Sequence, residues 1–270
     1  MADLQRLSLN QATVQNWSVQ QAVDGCVRHG IPSIALWRHK IAEAGLDASA
    51  KHVRDAGLHV SSVCRGGMFV APTAEERRER IADNFRAVDE AAALQADSLV
   101  MVVGASPQVA IVDARKMVSD GLAELVPYAR QHGVKIGLEP LHPMYAGDRS
   151  VLNTIDQSLA MASSYPANEV GLILDTFHFW WDPYAYEQIE RAAGRIFGFH
   201  VCDWIVPMPD MLLGRGMMGD GAIDNHGFRM AVEAAGYMGP IEVEIFNQAL
   251  WDSDGDHVLA TVVERFTKLV

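Results

Sequence analysis

The segment VKIGLEPLHPMYAGD, residues Val134–Asp148, reads as a strand that ends in a carboxylate and runs into a loop carrying a histidine. Side chains alternate along a strand, so Val134, Ile136 and Leu138 share one face and Lys135, Gly137 and Glu139 the other. A strand that only fills a core does not end its second face in an acid. A barrel strand whose C-terminal tip serves a site does, because such barrels gather their functional groups at that end.

Outward from this segment, seven others read as strands: Leu4–Leu9, Ile34–Leu36, Leu58–Cys64, Asp97–Val103, Val170–Asp175, Ile196–Asp203 and Ile241–Phe246. Helical segments alternate with them. Ser18 caps one that runs to His29 and stops at Gly30 and Pro32; another breaks near Gly45 and resumes through Asp55. Thr73 with Glu76 makes a capping-box pattern for a helix to Gln95. Further helices are expected over Val112–Gln131, Val151–Ser164, Tyr184–Ala193, His226–Ala235 and Gly255–Val270. Eight such alternations imply a parallel sheet, closed as a single (β/α)8 TIM barrel over residues 1–270. The rival, an open doubly wound sheet, lacks its Gly-x-Gly-x-x-Gly after the first strand.

Composition narrows the function. The chain has 270 residues, 49% of them hydrophobic, with 34 acids against 22 Lys and Arg and a net charge of −12. An acidic surface repels a phosphate backbone, so nucleic acid is not an expected partner. No run approaches the roughly 18 apolar residues of a membrane span, and the opening MADLQRLSLN has no signal-peptide pattern. Three unevenly spaced cysteines, Cys26, Cys64 and Cys202, fit a reducing, cytoplasmic setting.

The same alternation applied to the later strands places Asp175 inward with Gly171 and Ile173, His200 with Ile196 and Gly198, and Glu244 with Glu242. Phe197, Phe199 and Val201 are expected to point outward, and Gly137, Gly171 and Gly198 to leave room below the tips. Glu139, Asp175, His200 and Glu244 therefore converge at one barrel mouth. Three buried carboxylates repel one another unless a cation compensates. With one imidazole and no thiolate they suit one divalent ion, Mn²⁺ first, with Mg²⁺, Co²⁺ or Zn²⁺ as alternatives.

The series Gly137-Leu-Glu-Pro, Leu174-Asp-Thr-Phe-His178, Gly198-Phe-His-Val201 and Glu242-Val-Glu-Ile-Phe246 resembles the xylose isomerase-like TIM barrel superfamily. Within it, the match is to the sugar phosphate isomerase/epimerase group, which includes ketose 3-epimerases and inosose isomerases and dehydratases. The resemblance implies that Glu139, Asp175, His200 and Glu244 ligate one metal and that Glu139 and Glu244 exchange protons with a substrate carbon. It implies that His178 and Arg215 bind substrate. Two departures stand out. Met218 replaces the Pro of a Pro-Gly-x-Gly loop, and Pro140-Leu-His142-Pro143 replaces the Asn-Arg pair usual in ketose epimerases. His142 is thus a candidate to contact substrate or to support a metal ligand, with shaping the loop as the alternative, and Arg149 a candidate for an anionic or polyol group or for pairing near Asp148.

Trp37, Met68, Phe69, Trp180, Trp181 and Trp251 follow strands and are candidates to line a pocket for a small sugar or polyol. The Met-rich stretch Trp204–Met218 is a candidate lid or subunit contact, and the resemblance points to a homodimer or higher homo-oligomer. The expected reaction is metal-dependent isomerisation or epimerisation of a small polyhydroxy ketone or aldose through an enediolate. The alternative with the same residues is elimination: a lyase or dehydratase acting on a keto-sugar, 3-keto-glycoside or inosose. A DNA-repair barrel fits the charge poorly. A non-catalytic binding barrel would keep its ligand affinity without metal.

Overall fold

A computed structural model describes residues 3–270. Met1 and Ala2, with which the opening segment and the expected 1–270 span begin, lie outside them. Eight parallel strands close on themselves: β1 (Leu7–Asn10), β2 (Ser33–Trp37), β3 (His59–Gly67), β4 (Leu99–Val102), β5 (Ile136–Leu138), β6 (Val170–Asp175), β7 (Ile196–Val201) and, after a short antiparallel pair β8 (Asp203–Trp204) and β9 (Arg215–Gly216), β10 (Ile241–Val243). β10 pairs with both β7 and β1, which closes the cylinder. With helices between the strands, this is the expected (β/α)8 barrel. Apolar residues from the outer strand faces and the inner helix faces form one continuous core between the two layers.

The punctuation explains the elements. Ser18 and Gln21 form a reciprocal capping box, and Gly30 ends that helix in the left-handed region at φ 66°. Thr73 accepts from the Glu76 amide, but among the described residues the Glu76 carboxylate makes no return bond. The expected start of the first strand is instead a 3-10 turn, Leu4–Arg6, because the Asp3 carboxylate accepts the Gln5 amide. The helix expected over Val151–Ser164 spans only Ile155–Ala162. Thr154 caps it, and the preceding residues are held by the Leu141 amide on the Leu152 carbonyl, 3.0 Å.

One strand face departs from simple alternation. Between β6 and β7 the register slips: Leu172 pairs with Ile196, but Ile173 pairs with Gly198, leaving Phe197 as an extra residue. Its ring turns into the barrel, where a Cβ at Gly171 would stand 2.8 Å from it, and Lys135 Nζ lies 5.5 Å from its centre. Ile173 fills the space beside Gly137 and Gly198, each of which would bring a Cβ to 2.6–2.8 Å of its Cδ1. The interior glycines therefore make room for Ile173 and Phe197, and these side chains close the barrel floor beneath the site.

Candidate metal centre and substrate cavity

Glu139 and Glu244 stand one residue past the last regular residue of β5 and β10, and their amides still extend the ladder, to Met101 O at 3.1 Å and Val201 O at 3.2 Å. Asp175 ends β6, and His200 is the penultimate residue of β7. The four are buried, and one potential ligand atom from each lies within 4.8 Å of all the others. His200 Nδ1 is 3.8 Å from Glu139 Oε1 and 3.7 Å from Glu244 Oε2, and it has no hydrogen-bond partner. A buried imidazole nitrogen without a partner, ringed by carboxylates, has the surroundings of a metal ligand.

A layer beneath sets the imidazole. Glu242 is buried, and its Oε2 is 3.1 Å from His200 Nε2, an ion-pair contact without the alignment of a hydrogen bond. Asn10 Nδ2 donates to Glu242 Oε2 (2.9 Å) and Ser61 Oγ to Oε1 (2.8 Å); Trp37 Nε1 in turn donates to Asn10 Oδ1 (2.8 Å). The carboxylate faces Nε2, leaving Nδ1 toward the cluster, as acids behind metal-binding histidines do. Alternation in the strand showed that Glu242 points inward, but nothing in the linear sequence linked it to His200.

Arg215 also reaches into the cluster. Its Nη1 donates to Asp175 Oδ2 (2.7 Å) and Glu244 Oε2 (2.9 Å), and its guanidinium sits between the rings of Phe177 (4.6 Å) and Phe246 (4.9 Å). Its Nη2 is 3.3 Å from His178 Nε2. Arginine has only donors, so His178 Nε2 accepts and Nδ1 carries the proton. Nδ1 is buried with no protein partner and is free to donate to a bound oxygen.

These neighbours pull the acids apart. Burial raises Glu139 to about 8, reinforced by the Glu244 charge. Burial also raises Asp175 to about 6, against the pull of Arg215. At Glu244 burial is outweighed by Arg215 and His200, which hold it down at about 2. Burial disfavours the His200 cation, but Glu242, Glu244 and Glu139 overcome this and raise it to about 10. His178 is driven well below its ordinary value by burial and then by Arg215, so it is neutral.

A cavity of about 580 Å³ opens over this cluster. Trp37, Glu139, His178, Arg215 and Glu244 all line it, as do Met68 and Trp251. His142 does not: its Nδ1 accepts the Met144 amide (3.1 Å), and its ring packs against Trp204 (5.1 Å) and Trp181 (5.5 Å). Trp180 and Trp181 are also outside the lining, and Phe69 is buried against Gly121 in the core. The loop that carries Met218 in place of Pro is fixed by an acid missed in the sequence. Asp203 Oδ1 accepts the Trp204 (2.8 Å) and Ile223 (2.9 Å) amides, and Oδ2 the Gly219 amide (2.8 Å).

The family model for xylose isomerase-like TIM barrels matches residues 23–268. The chain belongs to that family. It is 24% identical to the inosose isomerase of Bacillus subtilis over 98% of each chain. It is 32% identical to the 3-dehydroshikimate dehydratase of Pseudomonas putida over 63% of this chain, which spans 27% of that protein. A solved structure from Sinorhizobium meliloti 1021 superposes with a TM-score of 0.96 at 46% identity over 99% of both chains. The chain is an enzyme of a family whose relatives are named isomerases, epimerases and dehydratases. Among the described residues, no helix is long and apolar enough to cross a membrane.

Proposed function

We propose that the protein is a divalent-metal-dependent isomerase or epimerase of a small polyhydroxy ketone or aldose. The observation that carries this reading is the buried, unpartnered His200 Nδ1 facing Glu139, Asp175 and Glu244 at the foot of a sugar-sized cavity. The donor set of three carboxylates and an imidazole favours Mn²⁺, with Mg²⁺, Co²⁺ or Zn²⁺ as alternatives. The ion supplies Lewis acidity toward the carbonyl and hydroxyl oxygens of the substrate.

The remaining work falls to the chain. His178 Nδ1 donates to a substrate oxygen, and the aromatic faces of Trp37 and Phe246, 5.5 Å apart and edge to face, cover C–H surface. Arg215 holds Glu244 ionised and in place as the base. Glu139 and Glu244 exchange protons with a carbon beside the carbonyl. Return to the same carbon from the other side is epimerisation, and return to its neighbour is isomerisation. Departure of a β-hydroxyl instead is elimination, and the likeness to a 3-dehydroshikimate dehydratase favours keeping that second reading.

The buried free cysteines support a reducing, cytoplasmic setting. Exposed Val206 and Met211 support a homodimeric or higher assembly through the Met-rich loop. The test is deuterium incorporation from heavy water into ketoses and inososes by metal-loaded protein. Exchange that disappears in Glu139→Gln and Glu244→Gln is expected; near-wild-type exchange in both variants removes them as bases.

A further inference from the structure

Arg65 stands near the C-terminal end of β3 and lines the same cavity as Glu139, His178 and Glu244, and also an outer pocket beside Arg80 and Asp83. Among the described residues its guanidinium makes no ion pair and no hydrogen bond; only its backbone carbonyl is used, by Arg38 at 3.4 Å. Arg38 shows the contrast, with its own guanidinium bound to Asp83 and Glu90. Arg149, from the loop after β5, lines the cavity too. Its Nε is buried with no hydrogen-bond partner, the nearest acid oxygen is Asp148 Oδ2 at 3.8 Å, and its guanidinium rests 5.5 Å from the Tyr145 ring centre. The third arginine of the cavity, Arg215, is committed to Asp175 and Glu244.

One guanidinium with no acid partner, and a second whose nearest acid is the exposed Asp148 at 3.8 Å, share one cavity in a chain of 34 acids and 22 basic residues. A guanidinium has five donors and no acceptor, and its fork matches a carboxylate or phosphate with two parallel bonds. A neutral sugar offers no such group. Resting on the metal-dependent reading above, we propose that the substrate carries an anionic substituent, a carboxylate or a phosphate, held by Arg65 and Arg149 while its hydroxy-carbonyl end meets Glu139, His178 and Glu244.

The test is calorimetric titration of the Mn²⁺-loaded full chain with three cyclic probes: neutral myo-inositol, the carboxylate quinate, and myo-inositol 1-phosphate. At least one anion is expected to bind about tenfold or more tighter than myo-inositol. Quinate identifies a carboxylate site and the phosphate ester a phosphate site. The advantage should shrink in added salt and fall to within about twofold in Arg65→Gln and in Arg149→Gln, with myo-inositol affinity unchanged. Equal affinities, no binding of either anion, or a preference intact in both variants would overturn the proposal. Metal content of the same samples separates this from the broader reading. Normal metal uptake without anion preference defeats only the anionic substrate. No metal uptake, with an Arg65-dependent preference for quinate, defeats only the isomerase reading.

Discussion

Glu242 is the acid behind the candidate ligand His200. Its carboxylate is held by Asn10 and Ser61 and faces His200 Nε2, so the other imidazole nitrogen is turned to the cluster. Glu242→Gln keeps the shape and removes the charge. We expect metal affinity, measured by competition with a chelator, to fall about 10–100-fold while the fold persists; unchanged affinity would make Glu242 a mere filler of the barrel. The titrating groups give a second prediction. Glu139 is raised to about 8 and His200 to about 10, so at pH 7 both hold protons in the metal-free folded protein. From about pH 4.5 to 8 the folded state binds more protons at Glu139 than the unfolded state, and from about 6.5 upward His200 adds to this. His178, held neutral in the fold, acts the other way up to about pH 6.5, so stability of the metal-free protein falls as pH rises from about 7 to 8. Metal ligation displaces those protons, so titrations at pH 7 in buffers of different ionisation enthalpy should report about one to two protons released per ion; zero would contradict the assignment.

The four candidate ligands were legible in the sequence because each sits at a strand tip, where alternation by two assigns the inward face. What alternation did not show is where that count breaks. The extra residue at Phe197 turns a ring expected to face outward into the barrel, and register slips leave no mark in the order of residues. Asp203 was hidden for a related reason. Its role depends on amides at Gly219 and Ile223, which are brought to it only by the folded loop. His142 lies on the loop that sequence reading marked, but that loop turns it toward Trp181 and Trp204. The floor of the barrel gives a test at this level. A Cβ at Gly171 would meet the Arg195 carbonyl oxygen at 2.3 Å, whereas one at Gly198 would meet the end of the Ile173 side chain at 2.8 Å. Backbone yields less than a side-chain tip, so Gly171→Ala should cost about 1–3 kcal/mol in urea denaturation and Gly198→Ala distinctly less. Equal losses would argue against the packing described.

Across the whole molecule, a closed parallel sheet gathers eight strand tips at one end, and four of them converge as an acidic cluster that folding alone does not favour. The cost of burying Glu139, Asp175 and Glu244 together is offset in part by Arg215. A bound cation would offset the rest, and at 100-fold excess over its dissociation constant would add about 2.7 kcal/mol to stability. Alternating strands and helices made the barrel legible from the sequence. The meeting of Arg65 and Arg149 at one cavity was not, because they lie 84 positions apart, one on β3 and one on the loop after β5. The most direct test is elemental analysis of dialysed, untagged protein after incubation with Mn²⁺, beside the Glu244→Gln variant. The metal-centre account predicts about one divalent ion per chain in the wild type, lost in the variant. No bound metal in either protein would contradict it.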